Sequence, residues 1–480
     1  MQPAGAPGRC NRRVQPVGPF SRDNARVVTD RDGRWRVAGL AVLAALAAPL
    51  AWHYLGSYPR EIWQVDLEVY REGARALVGG APLYDLRTEA PQFLPFTYPP
   101  FAAIAGLPLL LAPFEVIGWV WTGVQLVLLW AVVGRAFAPA LARFGSRAGL
   151  VQGLVAGGLL WALPVADGIR YGQVNAVIVA LALFDLTAGP NRRLPRGVLV
   201  GLATAVKLTP GVFWLHWAVV RDRRSLLTSI GTAAGVTVWA ALIQPGASAA
   251  FWTDALLSPD RLGPNGGTSN QSLRGVLLRL GPDDGPAATL LYLALAGLVA
   301  VLGLRLAGRL HRQGQQVAVV AAVGLVAMLI SPVSWVHHLF WGVVVIGAVL
   351  GDGRDRRRLA AALAGAALLW MRLPWWGANL LAFDHGPRWF ARLVQSGYTG
   401  FSLLGLFALW WLVAERQNGV STPSAESSAS TASSPQTPAP TRWTVPNRTR
   451  ASSARPSSAP TAATTSSDDQ APTNTDSGSS

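Results

Sequence analysis

Residues 197–220 read GVLVGLATAVKLTPGVFWLHWAVV, an apolar stretch interrupted by Lys207 and Pro210 and bracketed by Arg196 and Arg221. Two full crossings of a bilayer need roughly 40 residues, and only 24 lie between the brackets. A single crossing would carry one arginine cluster to the wrong side. A re-entrant helical hairpin with Lys207-Leu208-Thr209-Pro210 at its tip satisfies length and charge together. Pro210 breaks the helix, and freed backbone groups are tolerated where they line a protein cavity. Lys207 is the single lysine of the chain, against forty arginines. An ammonium group in apolar surroundings is costly, so its place asks for an anion or a water-filled cavity.

Composition extends this reading outward. Half the residues are apolar (51%), 14% are charged and mean hydropathy is +0.31, values that suit a multispanning membrane protein and not a soluble core. The net charge of +16 does not indicate nucleic acid, because the arginines sit in short clusters between apolar segments, as in RDRR at 221–224 and RDRRR at 354–358. That is the pattern of cytoplasmic loops. The lone cysteine, Cys10, excludes an intramolecular disulfide and a thiolate metal cluster.

The basic clusters assign the loops at 135–147, 189–196, 221–224, 305–316 and 352–358 to the cytoplasm. The loops near 56–98, 167–173, 245–287, 332–337 and 372–397 then fall outside. The run from Val37 to about Leu55 reads as an uncleaved signal-anchor behind an arginine-rich tail, residues 1–36. A second short segment, 99–113, holds Pro99, Pro100, Pro108 and Pro113 and is expected to dip in and return. The expectation is an all-α polytopic bundle of about ten full crossings and two re-entrant hairpins over residues 37–416, with both termini cytoplasmic. Residues 417–480, rich in Ser, Thr, Pro and Ala, form a tail too polar to offset its ordering entropy.

Chemistry concentrates in the external loops. Leu67, Tyr70, Ala74 and Leu77 recur at helical spacing and predict an amphipathic helix along the membrane surface ending at Gly79-Gly80. Asp66 at its start either caps that helix or serves as a general base toward a hydroxyl. Glu68 and Glu72 read as partners of Arg71 and Arg75. The turn ADGIRYGQVN, 166–175, gathers Arg170, Tyr171, Gln173 and Asn175, more cation, phenol and amide than turning requires. The loop beginning TSNQSLRG at Thr268 offers Asn270, Gln271 and Arg274; amides and hydroxyls suit sugar hydroxyls, which both donate and accept. In SPVSWVHHLFW, 331–341, adjacent His337 and His338 point about 100° apart on a helix and cannot chelate one metal from one face. One is expected to face the cavity as phosphate donor or proton carrier while the other packs. No metal or cofactor site and no phosphate loop is expected, since neither HExxH, Walker nor GxGxxG patterns occur.

DLEVYREGARALVGGAPLYD, FTYPPFAAIAGLPL, YGQVNAVIVALALFDL, GLATAVKLTPGVF, TSNQSLRG and SPVSWVHHLFW occur in this order, and together they resemble glycosyltransferase family 87. That family comprises polyprenyl-phosphate-mannose-dependent α-mannosyltransferases of the GT-C type. The likeness covers roughly residues 60–345 and weakens toward 415. It implies an active site at the external face of the plasma membrane and metal-independent transfer of mannose, with inversion, from a lipid phosphate to a glycolipid or glycan hydroxyl, forming an α-1,2 linkage. By its motifs Asp66 falls on the position of the base, His337 and His338 lie beside it, and Lys207 stands near the donor. Arg170 and Arg274 join Lys207 as phosphate ligands, and Tyr98, Tyr171, Gln173, Asn175, Asn270 and Gln271 as sugar or acceptor ligands. The alternatives are a transferase of another sugar, such as arabinofuranose, on the same type of donor, and a secondary transporter. A transporter would place ionisable groups at the midplane of several spans and show paired halves.

Overall fold

Runs of apolar residues punctuated by Pro and Gly produce helices throughout the computed structural model, which describes residues 33–56, 62–258, 261, 263–281 and 285–420. Most of the predicted basic tail and all of the predicted polar tail beyond residue 420 lie outside them. Among the described residues there is no β-strand, only two isolated bridges, Arg87 with Pro95 and Asn270 with Trp335.

The chain runs α1 (Gly33–Gly56), α2 (Val65–Gly79), α3 (Pro100–Ala105), α4 (Phe114–Ala136), α5 (Ala138–Leu141), α6 (Ala148–Leu160), α7 (Leu163–Tyr171) and α8 (Asn175–Thr187). It continues through α9 (Val198–Val206), α10 (Val212–Val220), α11 (Arg223–Ile243), α12 (Pro245–Thr253), α13 (Leu273–Leu280) and α14 (Pro286–Arg312). The last six are α15 (Gln316–Ile330), α16 (Trp341–Leu350), α17 (Arg356–Trp370), α18 (Leu373–Ala382), α19 (Arg388–Gln395) and α20 (Gly397–Val420). The centre is α15 and α16, whose side chains are buried almost without exception, with α8 and α20 packed on α15.

Five helices, α1, α4, α11, α14 and α20, are long and apolar enough to cross a membrane, and up to seven spans result if the bent pairs ending in α7 and α18 each count as one. This is fewer than the ten crossings expected from hydropathy. The physical reason is length: α8 with 13 residues and α15 with 15 reach only about 20 Å against a hydrocarbon core of about 30 Å. Their apolar sequence reflects burial inside the protein, which composition cannot distinguish from exposure to lipid.

The interrupted segment forms the expected hairpin. Gly197 at its start packs on Ser225, and α10 leads directly into α11, so both ends return to the same end of α11 while Lys207 stands at the turn. Neither arm, nine residues each, could cross alone. The 99–113 segment likewise resolves into the six-residue α3 and a 3-10 turn over Leu107–Leu110. Glycines at 149, 153 and 157 form a smooth stripe on α6 that admits α1. A Cβ on Gly39 would collide with the carbonyl of Gly149, and one on Gly153 with that of Gly39.

Candidate functional site

The predicted amphipathic helix is present as α2, ending where expected, with Gly80 in the left-handed conformation (φ 70°). Its apolar face packs on protein: Leu67, Tyr70 and Ala74 are buried, and the Phe96 ring fills the space over Gly73. Glu72 pairs with Arg75 at 2.5 Å, whereas Arg71 donates to the Ala112 carbonyl at 3.1 Å.

The start of α2 is held from three sides by Gln64. Its backbone N–H donates to the Arg170 carbonyl at 2.8 Å, and its buried amide donates to the Gly118 carbonyl at 2.9 Å and the Thr122 hydroxyl at 2.8 Å. Gln64, not Asp66, occupies the N-cap position. The Asp66 carboxylate instead accepts from the Gln173 amide at 2.6 Å. Burial pushes the Asp66 carboxyl up to about 6, against the opposing pull of that bond and of the Lys207 and Arg170 charges.

Within ADGIRYGQVN the turn itself is confined to residues 172–174. Residues through Tyr171 are the last turns of α7, Gly172 ends the helix in the left-handed region (φ 72°), and α8 begins at Asn175. The corner is tight, since a Cβ on Gly172 would lie 2.6 Å from that of Leu67. Arg170 pairs with Asp167 at 3.8 Å, bonds the Tyr171 hydroxyl and lies 4.2 Å over the Tyr171 ring. Asn175 is buried at the first turn of α8; its amide donates to the His337 carbonyl at 3.1 Å and its oxygen accepts from Lys207 Nζ at 3.3 Å.

Lys207 closes the cluster. Its Nζ is 2.9 Å from His338 Nε2, while His338 Nδ1 accepts from the Trp335 backbone N–H at 3.1 Å. Lys207 Nζ also lies 5.7 Å from the centre of the Tyr98 ring, which stacks on Tyr70 at 4.5 Å, one helical turn beyond Asp66. His337, 5% exposed, packs edge-on against Tyr171 at 5.5 Å, and both its ring nitrogens are buried without a hydrogen-bond partner. One histidine thus faces a charged group and the other packs on an aromatic ring, the packed one carrying unspent polar atoms.

Asp66, Tyr98, Arg170, Tyr171, Gln173, Asn175, Lys207, His337 and His338 therefore meet where α2, α7, α8, α9 and the 336–340 turn converge. Asn270 and Gln271 are engaged differently. Asn270 donates to the Asn265 and Pro332 carbonyls and accepts from the Ser272 and Ser334 amides. Gln271 donates to the Thr268 and Gln395 carbonyls and accepts from the Tyr398 and Thr399 amides. All four hydrogen-bonding positions of each amide are occupied inside the protein; Asn270 braces the segment leading to His337 through its side chain, whereas Gln271 reaches that segment through its backbone N–H, on the Ser334 carbonyl at 2.7 Å, and ties its amide to the α19–α20 junction. Arg274 lies on α13 near Tyr292 of α14. Two site members escaped sequence reasoning. Tyr70 read as an apolar helix position, although its place four residues after Asp66 puts both on one face. Gln64 carried no signal, because its role depends on partners more than fifty residues away.

At converging helix ends this multispanning helical protein gathers a carboxyl, a lysine and two histidines, groups that can move a proton and hold an anion. The family model described as "Glycosyltransferase family 87" matches residues 96–332. The chain is also 34% identical over 360 residues to the polyprenol-phosphate-mannose-dependent alpha-(1-2)-phosphatidylinositol mannoside mannosyltransferase of Mycolicibacterium smegmatis, covering 70% of this chain and 80% of the relative. It is 31% identical over 406 residues to the protein of the same description from Mycobacterium tuberculosis, covering 79% and 88%. A third relative, the M. smegmatis polyprenol-phosphate-mannose-dependent alpha-(1-2)-phosphatidylinositol pentamannoside mannosyltransferase, is 33% identical over 360 residues, covering 74% and 85%. No solved structure matches. The chain belongs to glycosyltransferase family 87 and is a glycosyltransferase.

Proposed function

We propose that the chain transfers mannose from polyprenyl-phosphate-mannose to a hydroxyl of a phosphatidylinositol mannoside or related envelope glycan, forming an α-1,2 linkage with inversion. The observation that carries the reading is that Asp66 and Lys207 belong to one site, linked by Tyr98 and by the Gln173–Asn175 corner. A base for the acceptor and a cation for the donor phosphate are thereby within reach of one sugar.

In this mechanism the acceptor oxygen attacks C1 of the mannosyl group as the bond from C1 to the phosphate oxygen breaks. Asp66 takes the hydroxyl proton, and a carboxyl near 6 is largely ionised yet basic at neutral pH. The leaving polyprenyl phosphate gains a second negative charge, met by Lys207 and, beside it, Arg170. The unpartnered nitrogens of His337 and the amides of Gln173 and Asn175 are suited to sugar hydroxyls. Arg274 adds positive charge farther along the donor path, and Asn270 and Gln271 hold the histidine segment in register.

Residues 37–416 act as the catalytic domain, with the site toward the external face of the plasma membrane and both termini cytoplasmic. The arginines support this sidedness. Arg135 ends α4, Arg196 precedes α9, Arg221 follows α10, and the site lies at the opposite ends of α4, α8 and α9. The test is transfer of radiolabelled mannose from polyprenyl-phosphate-mannose by membranes containing the chain. Asp66→Asn is expected to abolish transfer at unchanged protein level, and full activity in that variant would remove Asp66 as the base.

A further inference from the structure

At the ends of α4, α8 and α9 remote from the candidate site lies a cavity of about 380 Å³, bordered by Arg135, Arg192 and Arg193. Asn175 and Asp185 are ten positions apart along α8, so about 15 Å of helix separates the two places. None of the cavity's residues belongs to the cluster around Asp66. We propose that this cavity binds the phosphate of an anionic membrane phospholipid, with the acyl chains leaving over its apolar walls.

Charge is the first argument. The one acidic residue of the lining, Asp185, is committed elsewhere: its oxygens accept from the Gly197 amide at 2.9 and 3.0 Å and from the Val200 amide at 2.9 Å, fixing the start of α9. Arg135 is half-buried and oriented by a 2.7 Å bond from its Nε to the Thr187 hydroxyl, which leaves the two terminal nitrogens of its fork for another acceptor. Among the described residues no carboxylate lies within ion-pair distance of Arg135, Arg192 or Arg193. Three guanidinium groups thus border a concavity with a single carboxylate, held by backbone amides, an excess of positive charge in which guanidinium forks match phosphate oxygens in pairs.

The walls select the source of the phosphate. Phe184 and Leu194 border the same cavity and are 36% and 49% exposed. α4, which contributes Arg135, is a helix long and apolar enough to span the membrane. A basic pocket between helices, lined by apolar side chains at a helix end, fits a lipid headgroup with its chains, whereas free phosphate would leave those walls unused.

The test uses the full chain in detergent at low salt, with the thermal unfolding midpoint as readout. Phosphatidylglycerol added in mixed micelles is expected to raise the midpoint in a saturable way. Phosphatidylcholine, and inorganic phosphate at the same concentration, are expected to leave it unmoved. Arg192→Gln/Arg193→Gln, both on exposed positions, should weaken half-saturation roughly thirty-fold, two charges each worth about a factor of five near an anionic surface. Arg356→Gln/Arg357→Gln, an equal charge change at another exposed cluster, should keep the wild-type response. Equal half-saturation in the two double variants would overturn the proposal, as would an equal rise with inorganic phosphate or with phosphatidylcholine. Because the readout is lipid binding, none of these results depends on which sugar the enzyme transfers.

Discussion

Replacing Gln173 with leucine tests how the base is tuned. The Gln173 amide donates to the Asp66 carboxylate at 2.6 Å and is the largest influence opposing the effect of burial on that carboxyl. A hydrogen bond to a charged group contributes about 1.5–3 kcal/mol. Since one pKa unit corresponds to about 1.4 kcal/mol, its loss should raise the Asp66 pKa by roughly one to two units. The active form is the carboxylate, so activity increases as pH rises through this pKa, and raising it moves the acid limb of the rate profile from about 6 toward about 7–8. Near pH 6.5 the ionised fraction would fall roughly three- to twenty-five-fold, while near pH 9 the variant would approach the wild type in this respect. The assay is kcat/KM for mannosyl transfer across that pH range, with donor saturating and acceptor varied. A uniform loss at every pH, with the acid limb unmoved, would refute the reasoning and leave Gln173 as a ligand of the sugar alone.

Three further outcomes follow from the geometry. Lys207→Ala should raise the apparent KM for the polyprenyl-phosphate donor roughly thirty-fold or more, the effect of truncating one partner of a desolvated charge pair; an unchanged donor response would place the phosphate elsewhere. Gly172→Ala forces a left-handed residue to carry a Cβ against Leu67, so thermal stability should drop by about 1–2 kcal/mol or more, with a loss of transfer because Leu67 adjoins Asp66. Asn270→Ala strips the buried Ser272 and Ser334 amides of their acceptor and should cost on the order of 2–4 kcal/mol in a detergent unfolding assay, whereas an unmoved midpoint would mean the brace is dispensable.

Legibility differed from residue to residue for physical reasons. The hairpin around Lys207 was readable because membrane thickness and arginine placement are one-dimensional constraints, and chain length alone violates one of them. Asp66, Gln173, Asn175 and His338 were readable as costly polar groups beside apolar runs. Their pairing was not, since Gln173 meets Asp66 across 107 positions and Lys207 meets His338 across 131. Asn270 and Gln271 show the converse. Their amides are ambiguous in sequence, because the same groups that suit a sugar also suit backbone carbonyls and amides, and only the packed loop shows those partners already in place.

By itself the sequence determined an all-helical membrane protein, the turn at Lys207, the helix that carries Asp66 in its first turn and the family to which the chain belongs, because each rests on local periodicity, length or ordered motifs. Tertiary structure alone decided which apolar helices are long enough to cross, that Asp66 turns from capping its helix toward Gln173, and that Tyr70 joins the site. Burial and hydrogen-bond partnership arise between segments distant along the chain, and no local pattern encodes them.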